Sequence, residues 1–197
     1  MLLYDSDVSG NCYKVRLLLA HLGLEYDRYP MDVVDRSNRR EVLGHLNPGL
    51  RVPTLVLDDE RALGESGAIL WYLADGTPYV PSDPFDRAKV LQWMFFEQYS
   101  HEPYVAVARF WLTKGIAVDP EALAERQRVG YLALDAMESH LAGHEFLVGG
   151  RYSIADIALY AYTHVAHEGG FDLGAYPAIE AWLARVAAQP GHVPIDA

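Results

Sequence analysis

NPGLRVPTLVLDDERALGESGAIL, residues 47–70, is the stretch on which the reading of this chain turns. Asn47-Pro48 ends the segment before it, because the residue ahead of a proline is pushed out of the α region. Val52 to Leu57 reads as a strand, yet Pro53 enters it and cannot donate to a ladder. A cis peptide at Val52-Pro53 resolves this by turning the chain, and leaves the Val52 N–H and C=O facing outward to pair with a peptide-like ligand. Asp58-Asp59 is a hairpin turn and Arg61 to Leu63 a short return strand. Ser66 to Leu73 is helical. The Ser66 hydroxyl and the first helical N–H groups form an anion site, and Glu65 beside them can meet an ammonium. Carboxylate and ammonium on one carbon make an amino-acid head group. Helix capping explains the Glu65-Ser66 pair equally well when it is taken alone.

Upstream, Leu2 to Tyr4 is a short strand candidate followed by a polar loop, Asp5 to Gly10. Asn11 to Leu22 shows helical spacing, with Val15, Leu18, Leu19 and Leu22 on one face and Gly23 as the stop. Glu25 to Pro30 reads as a second strand and Arg36 to Leu46 as a polar helix. The order βαβαββα predicts a mixed sheet with helices packed against it. The loop from Asp7 to Cys12 brings small polar residues to a helix N-terminus, where the helix dipole favours an anion such as a thiolate. Ser9 and Asn11 can both donate to it, although both are also ordinary caps.

Downstream, Gly76, Pro78, Pro81 and Pro84 mark residues 76–86 as a linker between a first domain, 1–75, and a second, 87–197. The second shows no strand signal. Helical patterns cover Arg87 to Tyr104, Glu121 to Leu141 with Pro120 at its start, Ile154 to His167, and Ala178 to Ala188. Ser153-Ile154-Ala155-Asp156 is a capping box with Asp in place of the longer Glu, and Tyr152 with Ile157 is a candidate hydrophobic staple.

Bulk properties narrow the function. The chain has 16 basic and 27 acidic residues and a formal net charge of −11, which disfavours nucleic acid or an anionic membrane as partner. Hydrophobic residues make up 51%, so a folded core is expected. The single cysteine, Cys12, excludes an intrachain disulfide and fits a reducing compartment. No signal-like start or long apolar run is present, and the expected location is the cytoplasm.

In order and spacing, Asn47-Pro48, Val52-Pro53-Thr54-Leu55 and Glu65-Ser66-Gly67-Ala68-Ile69-Leu70 resemble the glutathione S-transferase superfamily. The capping box at Ser153 to Asp156 and the Trp182-Leu183 helix extend the resemblance over nearly the whole chain. It implies a thioredoxin-like α/β N-terminal domain and an all-α C-terminal domain. It implies glutathione as substrate, bound by the Val52 backbone beside Pro53 and by Glu65 and Ser66, with Arg39 or Arg40 reaching the glycyl carboxylate. It also implies a homodimer. One departure is visible. The family often has Gly two residues before Val-Pro, whereas here Leu50 stands there and Gly49 precedes it.

Ser9-Gly10-Asn11-Cys12 resembles bacterial subfamilies with Ser or Thr followed by Asn two residues on, so the thiol-contacting role passes to Ser9 and Asn11. Cys12 is the rival, since a helix N-terminus lowers a thiol pKa and would favour a thiol-disulfide oxidoreductase; a buried structural cysteine is the alternative. Tyr4 reads as core. The mechanism expected is hydrogen-bond stabilisation of the glutathione thiolate for attack on an electrophile, peroxide or disulfide, with no metal. Tyr99, His101, Tyr104, Arg109, Phe110 and Trp111 suit a hydrophobic co-substrate held between the domains, or simply a helical core. His140 with His144, and His164 with His167, have helical spacings that lack a third metal ligand. Arg36, Arg39 and Arg40 read as a solvated helix face. A non-catalytic binding or assembly module of the same fold remains a third reading.

Overall fold

The computed structural model describes all residues, 1–197. By its internal contacts the chain divides into one unit of Met1–Thr77 with Pro190–Ala197, and another of Pro78–Gln189.

The first unit is a four-stranded mixed sheet with three helices: β1 (Leu2–Asp5), α1 (Gly10–Leu22), β2 (Asp27–Pro30), α2 (Arg39–Leu43), β3 (Thr54–Val56), β4 (Ala62–Leu63) and α3 (Ser66–Ala74). The strand order is β2-β1-β3-β4. β1 pairs parallel with β2 through the α1 crossover, and antiparallel with β3, which forms a hairpin with β4. The expected βαβαββα order is therefore the observed one. Leu3, Val15, Leu19, Leu55 and Ile69 make the core where α1 and α3 meet the sheet. Gly23 ends α1 at φ +63, and the Leu24 N–H reaches back to the Leu19 carbonyl, as a left-handed terminus requires.

Two sequence expectations change here. The helix expected over Arg36 to Leu46 shrinks to Arg39–Leu43. Asp32 Oδ1 accepts from the Val34 and Asp35 N–H groups, and Asp35 Oδ1 from that of Ser37, so side-chain turns take the backbone donors before a helix can. The last eight residues, assigned by sequence to the helical half, group with the first unit. The Tyr13 hydroxyl donates to the Val193 carbonyl at 2.7 Å, Arg16 Nη2 to that of Ile195, and Arg28 Nη1 to that of Ala197 at 3.1 Å.

The second unit is helical: α4 (Pro84–Phe96), a π-helical turn (Glu97–His101), α5 (Glu102–Thr113), α6 (Pro120–Leu141), α7 (Ile154–Thr163), a 3-10 turn (Ala166–Gly169) and α8 (Pro177–Ala187). The single helix expected from Arg87 to Tyr104 is in fact three pieces, starting at Pro84. Pro103 has no N–H to continue the α ladder, and the Glu102 N–H reaches back five residues to the Glu97 carbonyl. The helix expected to reach His167 stops at Thr163.

Every residue of α7 is buried, so this helix is the centre of the unit. Its start is the predicted capping box. The Asp156 carboxylate is closed by four donors, the Leu147 N–H at 3.0 Å, the Ser153 N–H at 2.9 Å, the Ser153 hydroxyl at 3.0 Å and Trp182 Nε1 at 3.0 Å. The box thereby ties α7 to α8. Tyr152, expected in a staple, packs its ring edge-on against Tyr79 and tilted against Phe146.

Candidate functional site

The sheet register gathers the three segments singled out by sequence. Tyr4 of β1 is opposite Thr54 of β3, so the loop after β1 and the Val52-Pro53 segment before β3 leave the same end of the sheet. Leu63 of β4 is opposite Leu55, so Gly64 and Glu65 run to that end as well, where α3 begins. The loop Ser6–Ser9, Val52 and the Glu65-Ser66 turn therefore share one edge of the first unit.

Ser9 caps α1. Its Oγ accepts from the Cys12 N–H at 3.3 Å. Capping and chemistry are compatible here: with a lone pair engaged by the helix, the hydroxyl hydrogen is the end left to offer an anion. The loop ahead of Ser9 is held by Arg16, whose Nη1 donates to Asp5 Oδ1 at 2.7 Å and to the Ser6 carbonyl at 3.2 Å, while Nη2 donates to the Asp7 carbonyl at 3.3 Å. Arg28 adds ion pairs to Asp5 and Asp7.

Asn11 is half-buried. Its Oδ1 accepts from Lys14 Nζ at 2.7 Å and from the Ser66 hydroxyl at 3.3 Å. The helix N-termini of α1 and α3 are thus joined through one amide oxygen. Ser66 is 5% exposed, whereas Glu65 faces solvent. Glu65 takes φ +62 and ψ 115, a conformation that costs a non-glycine residue on the order of 1–3 kcal/mol and collects at ligand sites.

For Cys12 the buried structural reading holds and the lowered thiol pKa does not. The side chain is 0% exposed, and its pKa goes up to about 12 rather than down. Burial is the main cause and the Asp5 carboxylate the next, against weaker help from Ser9, the Ser6 backbone and Arg16. The helix N-terminus does not offset loss of water around the sulfur. Tyr4, expected in the core, is half-buried, its ring 5.1 Å from that of Tyr29.

The Val52-Pro53 peptide is cis, as expected. Val52 lies outside the ladder, two residues ahead of β3. The loop before it is organised by Asn47, whose Nδ2 donates to Thr54 Oγ1 at 2.9 Å and to the Arg51 carbonyl at 3.2 Å, while Oδ1 accepts from the Gly49 N–H at 2.9 Å. A Cβ on Gly64 would come within 2.7 Å of Asn47 Nδ2, so this glycine lets β4 approach the loop. Leu50, at the position where the sequence departs from the family pattern, takes φ +52. Arg39 holds it there: Nη1 donates to the Leu50 carbonyl at 3.0 Å and Nη2 to the Asp32 carbonyl at 2.8 Å. Arg39 is thus a buried brace and not part of a solvated face, whereas Arg40 and Arg51 are exposed.

In the second unit the proposed co-substrate residues separate. Tyr104 and Trp111 both meet the Arg126 guanidinium, 5.6 and 5.5 Å from their ring centroids. Arg109 is engaged by Glu168 at 2.7 Å. His101 is fully buried against Thr163 Oγ1 at 3.0 Å, Phe110 is half-buried, and Tyr99 is 84% exposed. His140 and His144 stack ring on ring at 4.1 Å, and each has a ring nitrogen on a carbonyl, of Leu147 and His140 respectively.

Lys14 is the site residue that sequence analysis missed. A signal existed: a lysine one turn beyond Asn11, inside a helix whose neighbouring positions are apolar.

Residues 8–75 match the family model for the glutathione S-transferase N-terminal domain, and residues 93–190 that for the C-terminal domain. A crystal structure of a glutathione S-transferase from Pseudomonas fluorescens is 51% identical, with a TM-score of 0.95 and 98% of each chain covered. The glutathione transferase URE2P8 from Phanerochaete chrysosporium, solved with oxidized glutathione, is 26% identical with a TM-score of 0.86, covering 96% of this chain and 90% of that one. The disulfide-bond oxidoreductase YfcG of Escherichia coli is 28% identical over 91% of this chain and 87% of its own.

Proposed function

Since this chain belongs to the glutathione S-transferase family through both of its halves, we propose that it is a glutathione transferase, using the sheet-edge site of its first unit to hold the glutathione thiolate. The observation that carries the reading is the register that brings Ser9, Asn11, Val52, Glu65 and Ser66 to one edge. Glutathione is a tripeptide with an amino-acid head group, a central cysteine and a terminal carboxylate. Glu65 and the start of α3 suit the head group, and the Val52 backbone suits the cysteinyl peptide. Ser9 and Asn11 suit the sulfur. Arg40 and Arg51, both exposed, are the cations available for the terminal carboxylate.

Donors aimed at the sulfur stabilise the anion over the thiol, so more thiolate is present at neutral pH. The thiolate then attacks an electrophilic carbon, forming a C–S bond and expelling a leaving group. With a disulfide it forms a mixed disulfide and expels a thiolate. The likeness to a disulfide-bond oxidoreductase favours this as the second reading, with glutathione and not the enclosed Cys12 supplying the sulfur. The Tyr104 and Trp111 rings around Arg126 suit an apolar or anionic co-substrate.

We further propose a cytoplasmic homodimer. Phe95 and Tyr99, one turn apart and 68% and 84% exposed, with Phe85 at 69%, leave an aromatic surface for a second copy. A reducing compartment suits a reaction that needs free thiol. No helix is long and apolar enough to cross a membrane.

The test is calorimetry with reduced and oxidised glutathione, then conjugation and disulfide-reduction assays. Binding in the micromolar to millimolar range is expected, with Ser9→Ala lowering turnover by about a hundredfold. Absence of uptake of either form sinks the proposal. Uptake without turnover in any assay would instead support the non-catalytic binding module.

A further inference from the structure

Lys14 is 1% exposed. A buried ammonium is costly unless its hydrogens are satisfied. Its Nζ sits 2.7 Å from Asn11 Oδ1, and the Ser66 hydroxyl donates to the same oxygen from 3.3 Å. Two donors on Oδ1 decide which way the amide points. The carbonyl end is turned to the protein, and Nδ2 with its two hydrogens is at the opposite end. A cation on the amide oxygen also draws electron density from the N–H bonds, which strengthens them as donors.

We propose that Lys14 is a positioning residue for the thiol site, aiming the Asn11 amide at the glutathione sulfur and strengthening it as a donor to the anion. The inference rests on the glutathione reading above. Lys14 needs no contact with the substrate; it acts through Asn11, and through the shared oxygen it couples the thiol contact to Ser66 at the head-group end of the site.

Other charges around the site are committed elsewhere. On α1, Arg16 is paired with Asp5. Arg28 from β2 pairs with Asp5 and Asp7. Arg39 from α2 is turned to the carbonyls of Leu50 and Asp32. Glu65, ahead of α3, is exposed. Lys14 Nζ is in hydrogen-bond contact with Asn11 Oδ1.

The test is titration of the thiolate absorbance of bound glutathione in wild type, Lys14→Met, Lys14→Arg and Asn11→Ala, and in the Lys14→Met/Asn11→Ala double variant. Lys14→Gln is read in parallel. It keeps one N–H for Asn11 and buries no charge, so it carries the test if the methionine variant does not fold. Removing the charge is expected to raise the pKa of the bound thiol by about one unit, a tenfold loss of thiolate at neutral pH. Lys14→Arg should titrate near wild type. In the Asn11→Ala background the Lys14 substitution should add nothing. A neutral variant that binds glutathione with an unmoved titration overturns the assignment, as does a shift that adds in full to that of Asn11→Ala. Calorimetry on the wild type separates the two claims: no uptake there fells the functional reading and this inference together, whereas uptake with an unmoved titration fells this inference alone.

Discussion

Arg16 Nη1 lies 2.7 Å from Asp5 Oδ1, and both side chains are almost wholly out of solvent, at 2% and 1% exposure. The pair joins α1 to the end of β1, and the same guanidinium donates to the carbonyls of Ser6, Asp7 and Ile195. One buried cation therefore closes the thiol-site loop on one side and fastens the chain's last residues on the other. Arg16→Met is expected to destabilise by about 2–3 kcal/mol, because Asp5 keeps only the partly exposed Arg28 as a partner and the Ser6 and Asp7 carbonyls lose their donor. Arg16→Met/Asp5→Leu should cost less than Arg16→Met alone, since no charge is stranded. Denaturant unfolding of both variants checks the order.

Deleting residues 190–197 removes the acceptors of Tyr13, His21, Arg16 and Arg28. At about 0.5–1.5 kcal/mol for each of the four hydrogen bonds, the expected loss is about 2–6 kcal/mol. Because Arg16 also holds the Ser6 and Asp7 carbonyls, amide hydrogen exchange at residues 6–9 should quicken more than exchange in β3. Equal acceleration throughout the first unit would argue against a local role for the tail.

Cys12 should resist iodoacetamide in the native protein and react only on unfolding, because its thiol is enclosed and its pKa lies near 12. The folded pKa is above the ordinary thiol value of 9.0, so the native state holds this proton more tightly than the unfolded chain does. The contribution to stability is complete below about pH 9 and is lost as pH rises toward 12. Cys12→Ala should abolish that part of the alkaline loss and leave glutathione turnover close to wild type. Loss of turnover in a folded Cys12→Ala protein would restore cysteine chemistry.

Asp156→Asn keeps the size of the side chain but presents an amide to donors that a carboxylate had accepted, and is expected to cost about 2–4 kcal/mol. Burial raises the Asp156 pKa from 3.8 to about 6, against the pull of Leu147, Trp182 and Ser153. On this group's account the native state binds the extra proton between those values, so stability falls as pH rises from about 4 to about 6. Asn cannot titrate, so the stability gap between wild type and variant should narrow over that range. Thermal unfolding across the range measures it.

Much of this was legible in the chain itself. Alternation of strand and helix signals gave βαβαββα, since period and turn chemistry are local properties. Pro53 after Val52 announced the cis turn, and Ser153 to Asp156 the start of α7. Those features depend on residues within one turn or one strand of each other. The broken helix at Glu97–His101 was hidden because helical periodicity continues across it, although Pro103 held the reason.

Sequence by itself determined the order of strands and helices in the first unit, and which small polar residues stand at helix starts. Tertiary structure alone decided what those residues face. Cys12 and Asn11 are neighbours in sequence, but the helix turns one sulfur into the core, where its proton is held, and the other side chain toward Ser66, 55 residues away. Arg39 became a brace and Lys14 a contact of Asn11 for the same reason. The free energy of a charge or a thiol is set by the water and partners around it, and those come from strands and helices distant in the chain.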